Sequence, residues 1–282
     1  MSPDAETPNA LDDSNVASGD ATRFRRLCRS SPWRWETLRF SVEWRAPHRA
    51  GDEPAAGDEP AAGDDVVPVP RVNAWLRRPD ALRVESAGSR LLFSTTRINE
   101  SKDAFYVTGS RSPWLLPPRL VQPVYDDEGL VQRRPEARYG DPVFGDGRWA
   151  AMLDPVELAG NADVPIEAAF ENVVELHRLA SVIHAGRPAL EAVLTPNRSY
   201  APACEGQPLI GAGGPAPRTR VRIDEATSVC VEAEVLDGDG AGAGHTLSIH
   251  AVDEYMLDDL FVEHSVDLTD VRDHIPWVVG EW

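Results

Sequence analysis

The sequence predicts a mainly β (α+β) protein built on an antiparallel sheet, and three observations carry that prediction. Apolar and polar residues alternate with a period of two in run after run. The runs are short and are separated by turn chemistry such as Pro79-Asp80, Gly88-Ser89 and Ala185-Gly186. Only one segment near the N-terminus, Phe24, Leu27 and Cys28 at i, i+3, i+4, carries a clear helical stripe, and Pro32 is expected to close it.

After that short helix, Leu38, Phe40, Val42 and Trp44 alternate with Arg39, Ser41, Glu43 and Arg45, a half-buried strand. Val72, Ala74 and Leu76 alternate with Asn73, Trp75 and Arg77. Leu82 and Val84 alternate with Arg83 and Glu85, Leu91-Leu92-Phe93 follows, and Phe105-Tyr106-Val107 reads as a further strand. Short strands with tight turns make an antiparallel meander. Residues 113–147 hold six prolines, which are poor ladder members, so loops are expected. Trp149 to Leu158 reads as two short helical turns, because Pro155 interrupts it.

Strands resume at Val173–Arg178 and Ala180–His184, then Leu190, Ala192 and Leu194. The clearest hairpin is Arg218–Ile223 with Val229–Val235. If Arg222 lies opposite Cys230, Arg220 meets Glu232 and Arg218 meets Glu234, each pair contributing roughly 0.2–1 kcal/mol. Leu247, Ile249 and Ala251 form another strand, and a short helix is expected near Leu257–Val262. The organisation read from this walk is a disordered N-terminal tail (1–20), a single β domain (21–262) with a low-complexity insertion at 47–70, and a C-terminal tail (263–282). The insertion contains Gly51-Asp52-Glu53-Pro54-Ala55-Ala56, repeated as Gly57 to Ala62.

Composition restricts function more than it defines it. The 46 acidic and 28 basic residues give a formal net charge of −18, which disfavours nucleic acid and anionic membrane surfaces as partners. Lys102 is the single lysine, a compositional bias rather than an arginine site. No transmembrane run and no secretory leader is visible, so a cytoplasmic protein is expected. Cys28, Cys204 and Cys230 are odd in number and form no CxxC, which reads as reduced thiols, with a Cys204–Cys230 disulfide left open.

No catalytic residue, metal ligand or cofactor is implied. The chain has no GxSxG elbow, and Gly211-Ala212-Gly213-Gly214 leads into Pro215 rather than a helix. His177 and His184 lie seven apart in strand-like sequence. His245 and His250 fall on opposite faces of one strand. Asp253, Glu254, Asp258 and Asp259 form a solvated acidic surface without calcium-loop spacing. The eight Trp residues fit ordinary packing or, alternatively, an aromatic-lined cavity.

Two segments carry a family resemblance. Val72-Asn73-Ala74-Trp75-Leu76-Arg77-Arg78-Pro79-Asp80-Ala81-Leu82-Arg83-Val84-Glu85 resembles a strand pair of the LolA/LolB-like lipoprotein-carrier superfamily, which also includes sensor domains of some sigma-factor regulators. The late hairpin, with Asp224, Thr227 and Glu234, is similar to a hairpin of the same group. Trp149–Leu158 and Gly186–Val193 resemble uncharacterised actinobacterial proteins of this type. The resemblance covers roughly residues 22–255 discontinuously. It implies a single curved antiparallel sheet forming an incomplete barrel, with short helices on its open side and an apolar concave face.

The expected function is a non-enzymatic binding protein whose half-barrel cavity takes an apolar small molecule, an acyl chain or lipid, or a protein partner's segment. The candidate lining residues are Phe40, Val42, Trp44, Trp75, Leu82 and Val84. One alternative is a protein-interaction or regulatory domain with a side-chain-filled core. Another is a hydrolase with a dispersed carboxylate site, which requires converging carboxylates of perturbed pKa.

Overall fold

The period-two pattern folds into one open, nine-stranded antiparallel sheet. The computed structural model describes residues 17–47, 71–96, 116–137, 139–145, 147–165, 168, 171–202, 208–211 and 216–262. In chain order the elements are α1 (Ser18–Ser30), β1 (Thr37–Arg45), β2 (Arg71–Arg77), β3 (Ala81–Ser86), β4 (Leu91–Thr95), β5 (Val124–Tyr125), β6 (Val131–Arg133), α2 (Gly147–Leu153), β7 (Val174–His184), β8 (Arg187–Pro196), β9 (Thr219–Asp224), β10 (Cys230–Val235) and β11 (Gly244–Val252). The sheet order is β4-β3-β2-β1-β11-β10-β9-β8-β7, and β5 pairs with β6 apart from it. The sheet is not closed, so it is an incomplete barrel carrying two short helices. Two meanders, β1–β4 and β7–β11, meet at the β1/β11 seam, where Phe40 faces Ile249 and Val42 faces Leu247.

One face of the sheet holds the core. Leu38, Phe40 and Val42 of β1, Ala74 and Leu76 of β2, and Leu82 and Val84 of β3 are fully buried. Ala192 and Leu194 of β8, Val221 and Ile223 of β9, and Leu247 of β11 join them. Phe24, Leu27 and Cys28 of α1 and Trp149, Met152 and Leu153 of α2 pack into the same cluster. Each fully buried aliphatic or aromatic side chain contributes roughly 1.5–3 kcal/mol of transfer free energy.

Buried charge ties α1 to the segment between β4 and β7. Arg29, fully buried, donates to Asp163 Oδ1 at 2.6 Å and to the carbonyls of Ala159, Gly160 and Ala162. Arg26 also reaches Asp163, at 2.7 Å. Burial pushes the Asp163 carboxyl up, but hydrogen bonds from Arg26 and Arg29 outweigh it and hold it below its ordinary value. Arg134, nearly buried, pairs with Asp154 and donates to the Arg29 carbonyl. Satisfied on every side, these cations fix the helix against the loop.

The opposite face is a ladder of ion pairs, Arg178–Glu191–Arg222–Glu232 and Arg220–Glu234. Across its other half runs residues 254–262, a strap whose Met256 and Phe261 bury against Ala81 and Trp75. Arg77 donates to the Met256 carbonyl and Arg83 to the Leu260 carbonyl, so arginines of the sheet hold the strap.

Several sequence expectations are corrected. The β9–β10 register differs by two residues: Glu232 faces Arg222 and Glu234 faces Arg220, while Arg218 pairs with Asp237. The turn sets Cys230 against Ile223 rather than Arg222, one residue of the difference, and a bulge between Cys230 and Glu232 inserts the other. Val173–Arg178 and Ala180–His184, which the sequence allows either to flank or to continue one another, continue as one strand, β7. The helix expected near Leu257–Val262 is a 3₁₀ turn at Asp258–Phe261. Pro32 does not simply stop α1: it sits early in a 3₁₀ turn, Ser31–Trp33, where a missing amide costs no hydrogen bond. The reduced-thiol reading, by contrast, holds for Cys28 and Cys230, both free and buried, which closes the open question of a Cys230 disulfide; Cys204 itself lies outside the described residues. The strand at Phe105–Val107, the tandem repeat, the C-terminal tail and most of the N-terminal tail also lie outside them.

Candidate functional site

The six candidate lining residues divide between two faces. Phe40, Val42, Leu82 and Val84 are fully buried on the core face. Trp44 is half-buried on the same face and meets the His245 ring edge-on at 5.9 Å. Trp75 projects from the other face, against Ala81, Met256 and Phe261.

The space in front of the core face is occupied by the chain itself. The Trp149 ring lies 5.4 Å from Phe40 and 5.5 Å from Phe144, and Phe144 lies 6.0 Å from Phe93. Sequence periodicity could not show this: Phe144 comes from a Pro-rich segment with no repeat of its own, and the short helical turn that begins at Trp149 carries no sign of which sheet residues it covers.

Polar groups within this interior are few. His245 is fully buried and its Nε2 donates to the Cys230 carbonyl at 2.9 Å, leaving Nδ1 without a hydrogen-bond partner. Burial, aided by the nearby Arg148 cation, pushes its pKa down to about 3, so the ring is neutral. Burial pushes the Cys230 thiol up to about 12 and the Cys28 thiol well above its ordinary value, so neither is a thiolate nucleophile. Glu157 accepts from Tyr200 Oη at 2.8 Å and from the Leu209 amide at 2.7 Å.

The charged face has a different character. Burial raises the Glu232 pKa, but a hydrogen bond from His184 and the charges of Arg222, Arg220 and Arg45 outweigh it and bring the carboxyl down to about 2. Asp224 is likewise held low: burial opposes its ionisation, and hydrogen bonds from Arg187 and Thr227 win. Asp163 and Asp237 move down as well. A general acid requires a carboxyl shifted upward, and these four go the other way. Among the described residues, no group of three or more His, Cys, Asp or Glu could hold a metal ion.

A groove lies at one end of the sheet. The turn after α1 (Trp33 to Glu36), Arg78 and Pro79 between β2 and β3, Pro117 to Arg119, Tyr125 and Asp253 enclose about 330 Å³. Its walls are rigid. The Trp33 indole N–H donates to the carbonyls of Pro118 and Val121, both at 3.0 Å, and its ring packs 5.0 Å from Tyr139. The Arg78 guanidinium lies 3.3 Å over the Trp35 ring and grips both Asp141 oxygens at 2.8 Å. Asp253 Oδ1 accepts from the Glu36 and Thr37 amides. A second, shallower depression, bordered by Gly129 and Ala226, shares Trp33, Arg34 and Tyr125 with the first, so the two form one elongated trough. Sequence reading missed this site. Trp33-Arg34-Trp35 and Pro117-Pro118-Arg119 were visible as clusters, but nothing in the sequence joined segments so far apart.

With this geometry in hand, comparison with known proteins gives one kind of match. The chain is similar to MucB. Identity to that structure is 14% over 88% of this chain and 64% of that chain, with a TM-score of 0.32. MucB in complex with MucA(peri) matches at 14% identity over 87% of this chain and 60% of that one, with a TM-score of 0.35. A LolA superfamily protein from Nitrosomonas europaea matches at 9% identity over 88% and 99% of the two chains, with a TM-score of 0.24. The chain thus spans about 60–64% of the length of the MucB chains, and at such scores the likeness settles nothing about function. No protein-family model and no curated protein matches the chain. The cytoplasmic placement expected from the sequence is corrected by this comparison, since a matched chain is captured with MucA(peri). Among the described residues no helix is long and apolar enough to cross a membrane.

Proposed function

We propose that this chain is a non-enzymatic binding protein that holds a segment of a protein partner on its surface, the interior of the incomplete barrel being filled by its own side chains. One observation carries the reading: Trp149 of α2 lies on Phe40, backed by Phe144, in the space an acyl chain would need. Closely packed interiors give up such space only at a cost of several kcal/mol.

A second reading keeps an apolar small molecule or lipid between the sheet and α2, on Phe40, Val42, Trp44, Leu82 and Val84. It is favoured by the buried Trp149 Nε1 and His245 Nδ1, which lack hydrogen-bond partners and mark imperfect packing. It requires α2 to leave the sheet, and Trp75, on the other face, takes no part. The hydrolase reading draws no support from Asp163, Asp224, Glu232 and Asp237, each of which shifts downward.

Native mass spectrometry of the purified chain, followed by organic extraction, separates the two. The expected result is the bare protein mass and an extract free of lipid. A retained apolar molecule would overturn the filled-interior reading and install the second one.

A further inference from the structure

The trough beside Trp33 stands apart in its charge. Many arginines of this chain meet carboxylates, as Arg23 does Glu225 and Arg187 does Asp224, and within the trough Arg78 meets Asp141. Two arginines of the trough do not. Arg34 donates Nε to the Ala226 carbonyl and Nη2 to the Glu225 carbonyl, each at 3.0 Å, and has no acid partner among the described residues. Arg119 is exposed and has no acid partner among them either. The deeper cavity thus carries two guanidinium groups that meet no carboxylate, beside the carboxylates of Glu36 and Asp253, whereas the shallower depression carries Arg34 alone.

We propose that this trough is the docking site for an extended acidic peptide segment, an assignment that rests on the binding reading above and gives that partner its chemistry. The elongated shape, formed by two depressions sharing Trp33, Arg34 and Tyr125, fits an extended backbone rather than a compact molecule. Arg34 is the one charged residue bordering the shallower depression, so an acidic side chain lies there or beside Arg119. Trp33 and Tyr125, with Pro117 and Pro118, offer flat apolar surfaces for neighbouring aromatic or proline residues. Glu36 and Asp253 lie outside the shared stretch, as Arg119 does, and Asp253 is engaged with backbone amides. Arg34, the charged residue common to both depressions, therefore sets the main acidic position of the segment.

The test uses the full chain and two labelled peptides, one a repeat of Glu-Pro-Tyr and the other a repeat of Lys-Pro-Tyr, followed by fluorescence anisotropy. The Glu peptide is expected to bind and the Lys peptide not to, with affinity falling as salt is added. Arg119→Glu should weaken the Glu peptide on the order of fivefold, Arg119→Lys should largely restore it, and Tyr125→Ala should weaken it independently. Arg119 and Tyr125 are both exposed, so these variants keep the fold. Equal binding of both peptides, or no binding of the Glu peptide, overturns the trough assignment. Binding of the Glu peptide that ignores Arg119→Glu and Tyr125→Ala also overturns it, while leaving a surface-binding protein whose site is elsewhere. A lipid found by native mass spectrometry would instead overturn the reading on which the assignment rests.

Discussion

A buried imidazole with one nitrogen unpartnered makes His245 a sensitive point in the molecule. Its folded pKa, about 3, lies below the unfolded value of about 6.5, so the unfolded chain takes up the proton first as pH falls. The stability that a neutral His245 supports is therefore complete above about pH 6.5 and is lost progressively toward pH 3. Glu232, held near 2, has its own loss only below its ordinary value of 4.5. His250 is also lowered, by burial and by Arg39 and Arg71, and acts in the same direction as His245. Denaturant unfolding measured between about pH 6.5 and pH 5 should show stability declining with acid. His245→Gln, which keeps a donor for the Cys230 carbonyl, should flatten that decline by up to about 1.4 kcal/mol per pH unit, one proton's worth. An unchanged slope would mean that His245 does not carry the effect. The alternation in the sequence did place His245 and His250 on opposite faces, since strand geometry requires it. Which face is buried was not legible, because β11 alternates Leu247 and Ile249 with residues as mild as Thr246 and Ser248.

The strands themselves were the most legible feature, because each carries its own period, whereas pairing register depends on irregularities that leave no periodic trace. The β9–β10 hairpin shows this: arginines and glutamates do face each other, but the turn and a bulge at Cys230 each move the register by one residue, so that Arg222 rather than Arg220 faces Glu232. Gly244 is a second such case, at the start of β11. A Cβ built there would stand 1.8 Å from the Ala233 carbonyl oxygen and 3.1 Å from the Glu234 Cα, so the close approach of β10 and β11 depends on its having no side chain. The neighbouring atoms are backbone and cannot swing aside. Gly244→Ala should cost on the order of 1–3 kcal/mol or more. It should also raise amide exchange at the Glu232–Glu234 and Gly244–Thr246 pairs specifically, since these residues form the β10–β11 ladder. Wild-type exchange and an unchanged denaturation midpoint would contradict that dependence. From sequence, Gly244 reads as the end of a flexible glycine run; its steric role appears only once Ala233 is placed opposite His245.

At the scale of the molecule, the seam and the interior were the parts the sequence withheld. Nothing local announces that Leu38 pairs with Val252, because the contact joins the first strand to the last. Nor does the Pro-rich middle segment announce that Phe144, with Trp149 of the short helix after it, fills the space against the sheet. The same topology does say which part of the chain the sheet can do without. β1 and β2 are adjacent antiparallel strands whose ends meet at Glu43 and Arg71, and seven residue pairs from Thr37/Arg77 to Glu43/Arg71 fix their register. The 25 residues between Arg45 and Arg71 close that hairpin, and the repeat at residues 51–65 makes up most of them. Closing a loop costs entropy that grows only as about (3/2)RT ln n, so cutting 25 residues to 10 should stabilise the fold by roughly 0.8 kcal/mol. Deletion of residues 51–65 is thus expected to leave the circular dichroism spectrum of the sheet intact and to raise the denaturation midpoint slightly. A drop of more than about 1 kcal/mol would show that the repeat contributes contacts to the folded domain, and the register of β1 on β2 would then depend on more than its own seven pairs.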